Sequence, residues 1–339
     1  MMKKQPVTIY TVAKEANVSM ATVSRVVNGN TNVKPETRER VEAVIKELNY
    51  RPNAVARGLA SKKSTTVGVV IPKITEDYFA ELAAGIDDVA ALYNYDMILT
   101  SLDTIHQQPV QVIQSMLAKQ VDGIIFMGHD LSAELQAEFD NSSIPVLVAG
   151  SVVDDEKLPS VRIDYAAAAK DAINLLADHG HEKIGLLVGY DQTAINAKGR
   201  IPAYKEVLAA RGLEADDQNV FVGHDSYQEA YDLAKQILAQ GITALFVSDD
   251  LMAAGVLNAL TDQGVQVPAD FEIIAGNGTS TAHLTRPMLT TIDQPMYDLG
   301  AISMRLLTKM MKETDQEQAT EDQSVVLPHE IVVRQSTRQ

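Results

Sequence analysis

The chain has 339 residues, 46% of them hydrophobic and 22% charged, which is typical of a protein of two or three folded domains and excludes a disordered chain. It has no cysteine, which excludes disulfides, zinc–thiolate sites and cysteine nucleophiles. The first residues contain no apolar segment typical of a secretion signal, and no uninterrupted apolar stretch of about 18 residues follows. We therefore expect a cytoplasmic protein.

Charge is divided unevenly along the chain. Residues 1–63 contain 12 Lys and Arg against 5 Glu, a net charge of +7, whereas residues 64–339 carry −23, which gives −16 overall. This asymmetry indicates a small basic module, suited to nucleic acid or another anionic surface, joined to a large acidic body. A solvated basic tail is the alternative that charge alone leaves open.

The basic head is predicted to form three short helices. Thr8 precedes apolar residues at helical spacing, and Ser19 is placed to cap a second helix after a tight break at Asn17. Gly29 is free to take the left-handed conformation that ends this helix, and Pro35 opens a third. Two short helices joined by a tight turn and braced by a third form a helix-turn-helix domain.

The outward face of the second predicted helix carries short or hydrogen-bonding side chains that fit a major groove about 12 Å wide. The candidate DNA contacts on it are Ser19, Met20, Ala21, Thr22, Ser24, Arg25 and Asn28. Arg25 is suited to a guanine edge, and Thr22 and Ser24 to bases or phosphates. A solvent-exposed polar helix face is the alternative.

Residues 49–63 have a composition unusual for a linker. Asn53 to Ala60 would form two helical turns, too few for a helix that is stable alone, with a narrow face of small residues suited to pairing with its own copy. Leu59, flanked by Arg57, has the character of an apolar wedge that kinks DNA from the minor groove. Tyr50, Asn53, Ala56 and Leu59 are further candidate DNA contacts. An ordinary flexible linker is the alternative.

Three segments together, Thr8–Ala13, Val18–Gly29 and Tyr50–Ala60, resemble the N-terminal signature and hinge helix of LacI/GalR-family bacterial transcription regulators. The resemblance implies a homodimer that binds double-stranded operator DNA. It also implies a division into a helix-turn-helix domain (1–51), a hinge helix and linker (52–63) and a body for effector binding and dimerisation (64–339).

The body alternates apolar runs of strand length with helical stretches, which predicts parallel sheets covered by helices on both faces. The pattern runs from Thr66–Ile71 to Ser160–Ile163 and restarts at Ile184–Val188. The predicted fold class is thus a small all-α helix-turn-helix head plus an α/β body. The resemblance implies that the body has two Rossmann-like parallel-sheet lobes of periplasmic-binding-protein type, one of about 64–163 plus 292–325 and one of about 164–291 plus 326–339.

Ligands of such sheets bind beyond the carboxyl ends of the strands, where Arg200, Asp249 and Asn277 are the candidate effector residues. The resemblance implies that Arg200 clamps a sugar, with a small phosphosugar as the candidate effector. Asn277, however, stands where the sugar-responsive relatives have an acidic residue. A carboxylate accepts two sugar hydroxyls in charge-assisted bonds that an amide cannot equal, so we expect weak sugar sensing. A structural ion pair between Arg200 and Asp249 is the alternative.

The last long helix carries a basic patch. Asp298, Arg305 and Lys309 fall nearly on one face, and the two cations suit a phosphoserine. Basic residues that only complement the helix dipole are the alternative. The segment 294–309 also resembles the carbon-catabolite-control members of the family, which implies the serine-phosphorylated phosphocarrier protein HPr as co-repressor. In that comparison Tyr93 matches another position of the surface that binds HPr. Lys73 stands at a position where those relatives usually have Asp.

No catalytic constellation, cofactor motif or metal site is predicted, so we expect no enzyme. His179 and His181 form an H-x-H pair, but it lies in a helix-to-strand turn with no carboxylate triad predicted nearby. The sequence contains neither a Walker A motif nor a nucleophile elbow. The preferred function is regulation of carbon catabolite repression or activation. The alternatives are a repressor controlled by a sugar or nucleoside in the cleft and a solute-binding protein without DNA function.

Overall fold

The structure, a computed structural model, describes residues 7–51, 63–102, 108–128, 131–153, 158–313 and 324–339. The chain divides after Ser64 into two compact units. No helix in the described ranges combines the length and apolar composition that a membrane crossing requires.

The first unit is a three-helix domain of α1 (Ile9–Glu15), α2 (Met20–Val27) and α3 (Pro35–Glu47). Its core is formed by small and β-branched residues from all three helices, namely Val12, Ala13, Ala16, Val23, Val26 and Val41. The Ser19 hydroxyl accepts the Thr22 N–H at 3.2 Å, which caps α2. Gly29 follows α2 with φ of +70°, the left-handed value that ends a helix without steric cost. The predicted helix-turn-helix architecture is confirmed.

The second unit contains two six-stranded sheets, and its elements alternate as predicted. The first run is β1 (Thr66–Ile71), α4 (Asp77–Leu92), β2 (Asp96–Ser101), α5 (Pro109–Ala118), β3 (Gly123–Phe126), α6 (Ala133–Asp140), β4 (Val146–Ala149) and β5 (Ser160–Ile163). The second run is α7 (Tyr165–Asp178), β6 (Ile184–Val188), α8 (Ile201–Ala210), β7 (Val220–Val222), α9 (Tyr227–Ala239), β8 (Ala244–Val247), α10 (Asp250–Asp262), β9 (Glu272–Ala275), α11 (Ser280–Leu284) and β10 (Thr290–Asp293). The chain ends with α12 (Met296–Glu313), β11 (Ser324–Leu327) and β12 (Glu330–Val332).

Each sheet is the centre of one lobe. The strand order of the first lobe is β11-β5-β4-β3-β1-β2, all parallel, and that of the second is β12-β10-β9-β8-β6-β7, in which only β12 is antiparallel. The chain passes between the sheets after β5, again after β10 and a third time between β11 and β12. These crossings place the carboxyl ends of both sets of strands at one interlobe cleft. The fold class predicted from the sequence is confirmed, with one antiparallel edge strand added.

Helices α4 and α12 pack closely on the first sheet because glycines face backbone at two points of contact. A Cβ on Gly85 would lie 2.1 Å from the carbonyl oxygen of Tyr297, and one on Gly300 would lie 2.0 Å from that of Leu82. Both distances are far below van der Waals contact, so no larger side chain fits without moving a helix. This packing fixes α12, and its exposed face, against the first lobe.

Candidate functional site

The predicted recognition face of α2 lies opposite its buried residues. Val23 and Val26 face the core, while Ser19, Met20, Ala21, Arg25 and Asn28 are exposed and Thr22 and Ser24 are half-buried. Part of this polar surface is used internally, because the Ser19 and Thr22 hydroxyls lie 2.9 Å apart and Asn28 Nδ2 donates to Ser24 Oγ at 3.4 Å. The Arg25 carbonyl accepts the Asn30 N–H at 2.9 Å, but the Arg25 guanidinium has no hydrogen-bond or ion-pair partner within the described ranges. Its guanidinium is therefore available to a ligand.

Of the remaining predicted DNA contacts, only Tyr50 lies among the residues that the structure describes. Tyr50 is half-buried against the core of the three-helix domain, and its N–H donates to the carbonyl of Ile45 at 3.0 Å. The structure thus gives Tyr50 a packing role that the sequence did not suggest. Asn53, Ala56 and Leu59 lie outside the described residues, so their role in a hinge helix stays a prediction.

The interlobe cleft of the second unit encloses a cavity of about 580 Å³, part of it open to solvent. Its lining residues follow strands of both sheets: Glu76, Tyr78, Phe79, Gly150, Tyr165, Tyr190, Thr193, Ile195, Asn196, Arg200, Asp225, Ser248, Asp249, Asn277 and Gln294. All three candidate effector residues predicted from the sequence line this cavity. Glu76, Asp225 and Gln294 were not predicted. Glu76 is the N-cap of α4, Gln294 directly follows β10, and Asp225 lies in the loop between β7 and α9.

Arg200 ends a π-helical turn, Ile195–Arg200, that leads into α8. It is 9% exposed, its Nη1 donates to Asn196 Oδ1 at 3.1 Å, and its guanidinium carbon lies 5.3 Å from the centre of the Tyr165 ring. A single π-turn shifts the side chains that follow it, and such turns recur at functional sites. Here the turn holds the guanidinium against an aromatic wall of the cleft.

Asp249 and Asn277 are bonded to each other. Asn277 Nδ2 donates to Asp249 Oδ2 at 3.2 Å, and Asp249 Oδ1 accepts the Met252 N–H at 3.0 Å, which caps α10. The Asn277 oxygen accepts from Gln294 Nε2 at 2.9 Å. No ion pair within the described ranges joins Arg200 to Asp249, so the structural ion pair considered as an alternative is not formed. An aspartate at position 277 would face a second carboxylate at this distance, which explains the amide here.

The cleft has an excess of carboxylates. Burial, followed by repulsion from Asp249 and Asp225, raises the pKa of Glu76 to about 7. Burial also raises the pKa of Asp225 and of Asp249 above their usual range. Lys73 Nζ lies 3.4 Å from Glu76 Oε1, so the lysine offsets part of the negative charge of these carboxylates. These carboxyl groups therefore bind protons more readily than the same groups do in water.

The predicted co-repressor residues lie on one face of the first lobe. Asp298, Arg305 and Lys309 are exposed on α12, and Tyr93, 41% exposed, caps the end of α4. The structure adds Lys312, whose Nζ lies 5.2 Å from the centre of the Tyr93 ring. Sequence reasoning missed Lys312, although its spacing of three residues from Lys309 places it on the same face.

The H-x-H pair has a carboxylate beside it. His179 Nδ1 lies 2.6 Å from Glu272 Oε2 and His181 Nε2 lies 3.4 Å from Glu272 Oε1, with Glu272 fully buried. The sequence did not predict this single carboxylate, which comes from a distant strand and does not form a carboxylate triad. Arg338, in the C-terminal segment, also donates a hydrogen bond from its Nε to Glu272 Oε1. The Glu272 carboxylate is therefore shared between the histidines and this arginine. Within the described ranges no group of three suitable side chains is arranged to hold a metal ion.

Comparisons with known proteins agree with this architecture. Residues 8–53 match the family described as bacterial regulatory proteins, lacI family, and residues 157–337 match the periplasmic binding protein-like domain. The chain belongs to the LacI family of bacterial regulatory proteins. It is a transcription regulator with a DNA-binding domain, and its relatives are regulators rather than enzymes, as the sequence predicted.

Within that family the chain is similar to catabolite control protein A. It is 52% identical to the protein of that name from Streptococcus mutans over 98% of both chains. It is 48% identical to the HTH-type transcriptional regulator pepR1 of Lactobacillus delbrueckii subsp. lactis over 99% of both chains. A crystal structure of the lac repressor dimer bound to operator and the anti-inducer ONPF has a TM-score of 0.86 and 28% identity, covering 98% of this chain and 99% of the other.

Proposed function

We propose that this protein is a dimeric regulator of carbon catabolite control that binds pseudo-palindromic operator DNA, with serine-phosphorylated HPr as co-repressor. Residues 1–51 would bind DNA, 52–63 would form the hinge, and 64–339 would bind effectors and form the dimer. The observation that carries the proposal is the similarity to catabolite control protein A along nearly the whole chain, which includes both the helix-turn-helix and the α12 region.

The exposed face of α2 is the proposed reader of each half-site. The Arg25 guanidinium has no partner among the residues that the structure describes, and such a group forks onto the O6 and N7 of guanine. Thr22 and Ser24, half-buried beside it, are suited to phosphate or base contacts that set the register of the helix in the groove.

The hinge is the proposed link between the lobes and DNA. Two copies of residues 53–60 would fold against each other in the minor groove, with Leu59 of each copy wedged at the central base step. Because such short helices are unstable alone, their folding depends on the partner copy and on DNA. An effector that favours this state raises DNA affinity by the same factor by which DNA raises the affinity for the effector.

The basic face of α12 is the proposed docking site for the phosphoserine of HPr. Arg305, Lys309 and Lys312 lie at spacings of four and three residues, so their side chains emerge on neighbouring turns of one face. The unit that carries them is otherwise acidic. A phosphoserine of charge about −1.5 to −2 would form charge-assisted bonds there, with Tyr93 beside Lys312 as part of the contact surface.

The proposal is tested by titrating the full chain onto a pseudo-palindromic duplex with a central CG step, at one fixed salt concentration. Serine-phosphorylated HPr is expected to tighten operator binding, whereas unphosphorylated HPr is not. Arg305→Ala should lose this response, and the matched control Lys235→Ala, an exposed lysine on α9, should keep it. If specific operator binding does not change when phosphorylated HPr is added, HPr is refuted as the co-repressor. The proposal of a DNA-binding regulator would still stand.

A repressor controlled by a small molecule alone is the second candidate. The observation that favours it is the interlobe cavity, which is lined by residues of both lobes. In that case operator binding would respond to a cleft ligand in the absence of HPr. The third reading, a solute-binding protein without DNA function, conflicts with the lacI-family match at residues 8–53.

A further inference from the structure

The first turn of α4 contacts the second lobe. Its first residue, Asp77, accepts a hydrogen bond through Oδ2 from the hydroxyl of Ser280, which begins α11 on the second lobe. Its second residue, Tyr78, shares a hydrogen bond with Tyr165 of the second lobe, with 3.4 Å between the two hydroxyl oxygens. Separation of the lobes would therefore break two bonds at the start of a single helix.

The two bonds differ in exposure, and this difference separates their roles. Asp77 and Ser280 are both exposed, so water replaces each partner when the bond opens, and the net cost of opening is small. Tyr78 and Tyr165 are 8% and 3% exposed, and a buried hydroxyl that loses its partner is costly. The tyrosine pair is thus suited to a permanent contact, whereas the Asp77–Ser280 bond is suited to open and close as the lobes move.

Helix α4 extends from this contact to the basic face of the first lobe. It has 16 residues, so it is about 24 Å long, and Tyr93 caps its far end beside Lys312 of α12. The close approach of α4 and α12 at Gly85 and Gly300 leaves no space in which one helix can shift without the other. A displacement of α12 therefore moves α4, and with it Asp77 at the opposite end.

We propose that the Asp77–Ser280 bond is a latch between the lobes, and that the paired helices α4 and α12 connect this latch to the basic face of α12. Docking on that face would move the helix pair and so shift the balance between latched and open lobes. The inference rests on the proposed function in one respect, namely that phosphorylated HPr docks there. Asp77 is then a positioning residue that acts through α4 and touches neither the co-repressor nor DNA.

Hydrogen–deuterium exchange on the full chain, without HPr or DNA, tests the latch itself. Asp77→Ala should raise the exchange rate of amides 279–285 in the second lobe several-fold, and Ser280→Ala should do the same for the first turn of α4. Glu134→Ala is the matched control, because Glu134 is an exposed acid in the first turn of α6 on the same lobe as Asp77. If Asp77→Ala loosened only α4, the carboxylate would merely complement the helix dipole, and the latch would be refuted.

A reversible cross-link tests the connection to the basic face. The chain has no cysteine, so Asp77→Cys and Ser280→Cys, introduced together, provide one pair that a short bis-thiosulfonate reagent bridges and a reductant releases. In the bridged protein, phosphorylated HPr should change operator affinity by less than about 2-fold, because fixed lobes leave no equilibrium to shift. The response should return on reduction, and Asp77→Cys or Ser280→Cys alone should respond throughout. A full response of the bridged protein would overturn the connection, and a pair that does not bridge would overturn the latch.

The unaltered chain is titrated first. If its operator binding does not change with phosphorylated HPr, the co-repressor is refuted and the connection fails with it, while hydrogen exchange still decides the latch. If the unaltered chain responds and the bridged chain responds equally, the connection fails and the proposed function stands. The two failures are therefore distinguishable.

Discussion

The phenol oxygens of Tyr78 and Tyr165 lie 3.4 Å apart, and this buried hydrogen bond joins the first lobe to the second. Tyr78 is on α4 and Tyr165 begins α7, and both line the cavity, so a cleft ligand touches the residues that hold the lobes together. Burial raises the pKa of both phenols above the usual value near 10, so both keep their protons at neutral pH. On the second lobe, the guanidinium of Arg200 lies over the ring of Tyr165 and so contacts the same residue.

Tyr78→Phe is expected to lower the free energy of unfolding of the second unit by about 1–2 kcal/mol, because it leaves the buried Tyr165 hydroxyl without its partner. Urea denaturation measures the change. Tyr231→Phe is the matched control, since its exposed hydroxyl donates to Asp262 Oδ2 at 2.7 Å on the surface. Equal losses from both variants would mean that the interlobe bond contributes no more than a surface one.

Gly85→Ala is expected to destabilise the protein by about 1–3 kcal/mol, because the added Cβ would force α4 away from α12. The new carbon would otherwise lie 2.1 Å from the backbone oxygen of Tyr297. Gly199→Ala provides the control, since its Cβ would meet nothing nearer than 3.6 Å. Thermal unfolding compares the two, and a neutral Gly85→Ala would show that the helix pair is loosely packed. A displaced α12 should also weaken the response to phosphorylated HPr.

Arg338→Ala is expected to cost about 1–2 kcal/mol, since it removes one partner of the buried Glu272 while His179 remains. Burial raises the pKa of Glu272, but bonds from Arg338 and His179 outweigh it and lower the pKa below its usual 4.5. The stabilisation is therefore present above pH 4.5 and is lost as the pH falls through the lowered pKa. Unfolding free energies of wild type and variant should converge in acid, whereas Gln339→Ala should match wild type throughout.

The protein is expected to lose stability as the pH rises from about 4.5 to about 7. Glu76 changes its pKa from 4.5 to about 7 on folding, so between these values the folded state binds more protons than the unfolded state. The groups that face Glu76 are Asp249, Asp225 and Lys73, and the buried Asp250, with a pKa raised to about 7, acts in the same direction.

Glu76→Gln should reduce this pH dependence, and the exposed control Glu214→Gln should leave it unchanged. Denaturation midpoints across the pH range measure the slope. A slope identical in Glu76→Gln and wild type would show that Glu76 titrates normally.

Arg25→Ala is expected to cost about 1–3 kcal/mol of operator affinity and to relax base choice at one position of each half-site. Binding to a set of duplexes substituted at single positions measures both effects. Arg40→Ala, an exposed arginine on α3, should lower affinity for all sequences alike or not at all. If Arg25→Ala weakened every duplex equally, Arg25 would be a phosphate contact rather than a base contact.

Local signals predicted the elements well. The three helices of the head follow from apolar spacing, Ser19 and Pro35, and the strands of the body follow from apolar runs between helical stretches. In each case the information lies within a few residues, because a helix or strand buries one face of a short segment. The strands β11 and β12 were not predicted, because each is short and pairs with a strand formed much earlier in the chain.

The sequence by itself determined the family, the basic head, the two-lobed body and the candidate residues Arg200, Asp249, Asn277, Arg305 and Lys309. Only the tertiary structure decided their partners. It bonded Asn277 to Asp249, set Lys312 against Tyr93, and brought Glu272 to His179 from 93 residues away. It also placed Glu76 of one lobe among the aspartates of the other. Contacts of this kind depend on how whole sheets and helices pack, and no periodicity within a segment encodes the distance between two segments.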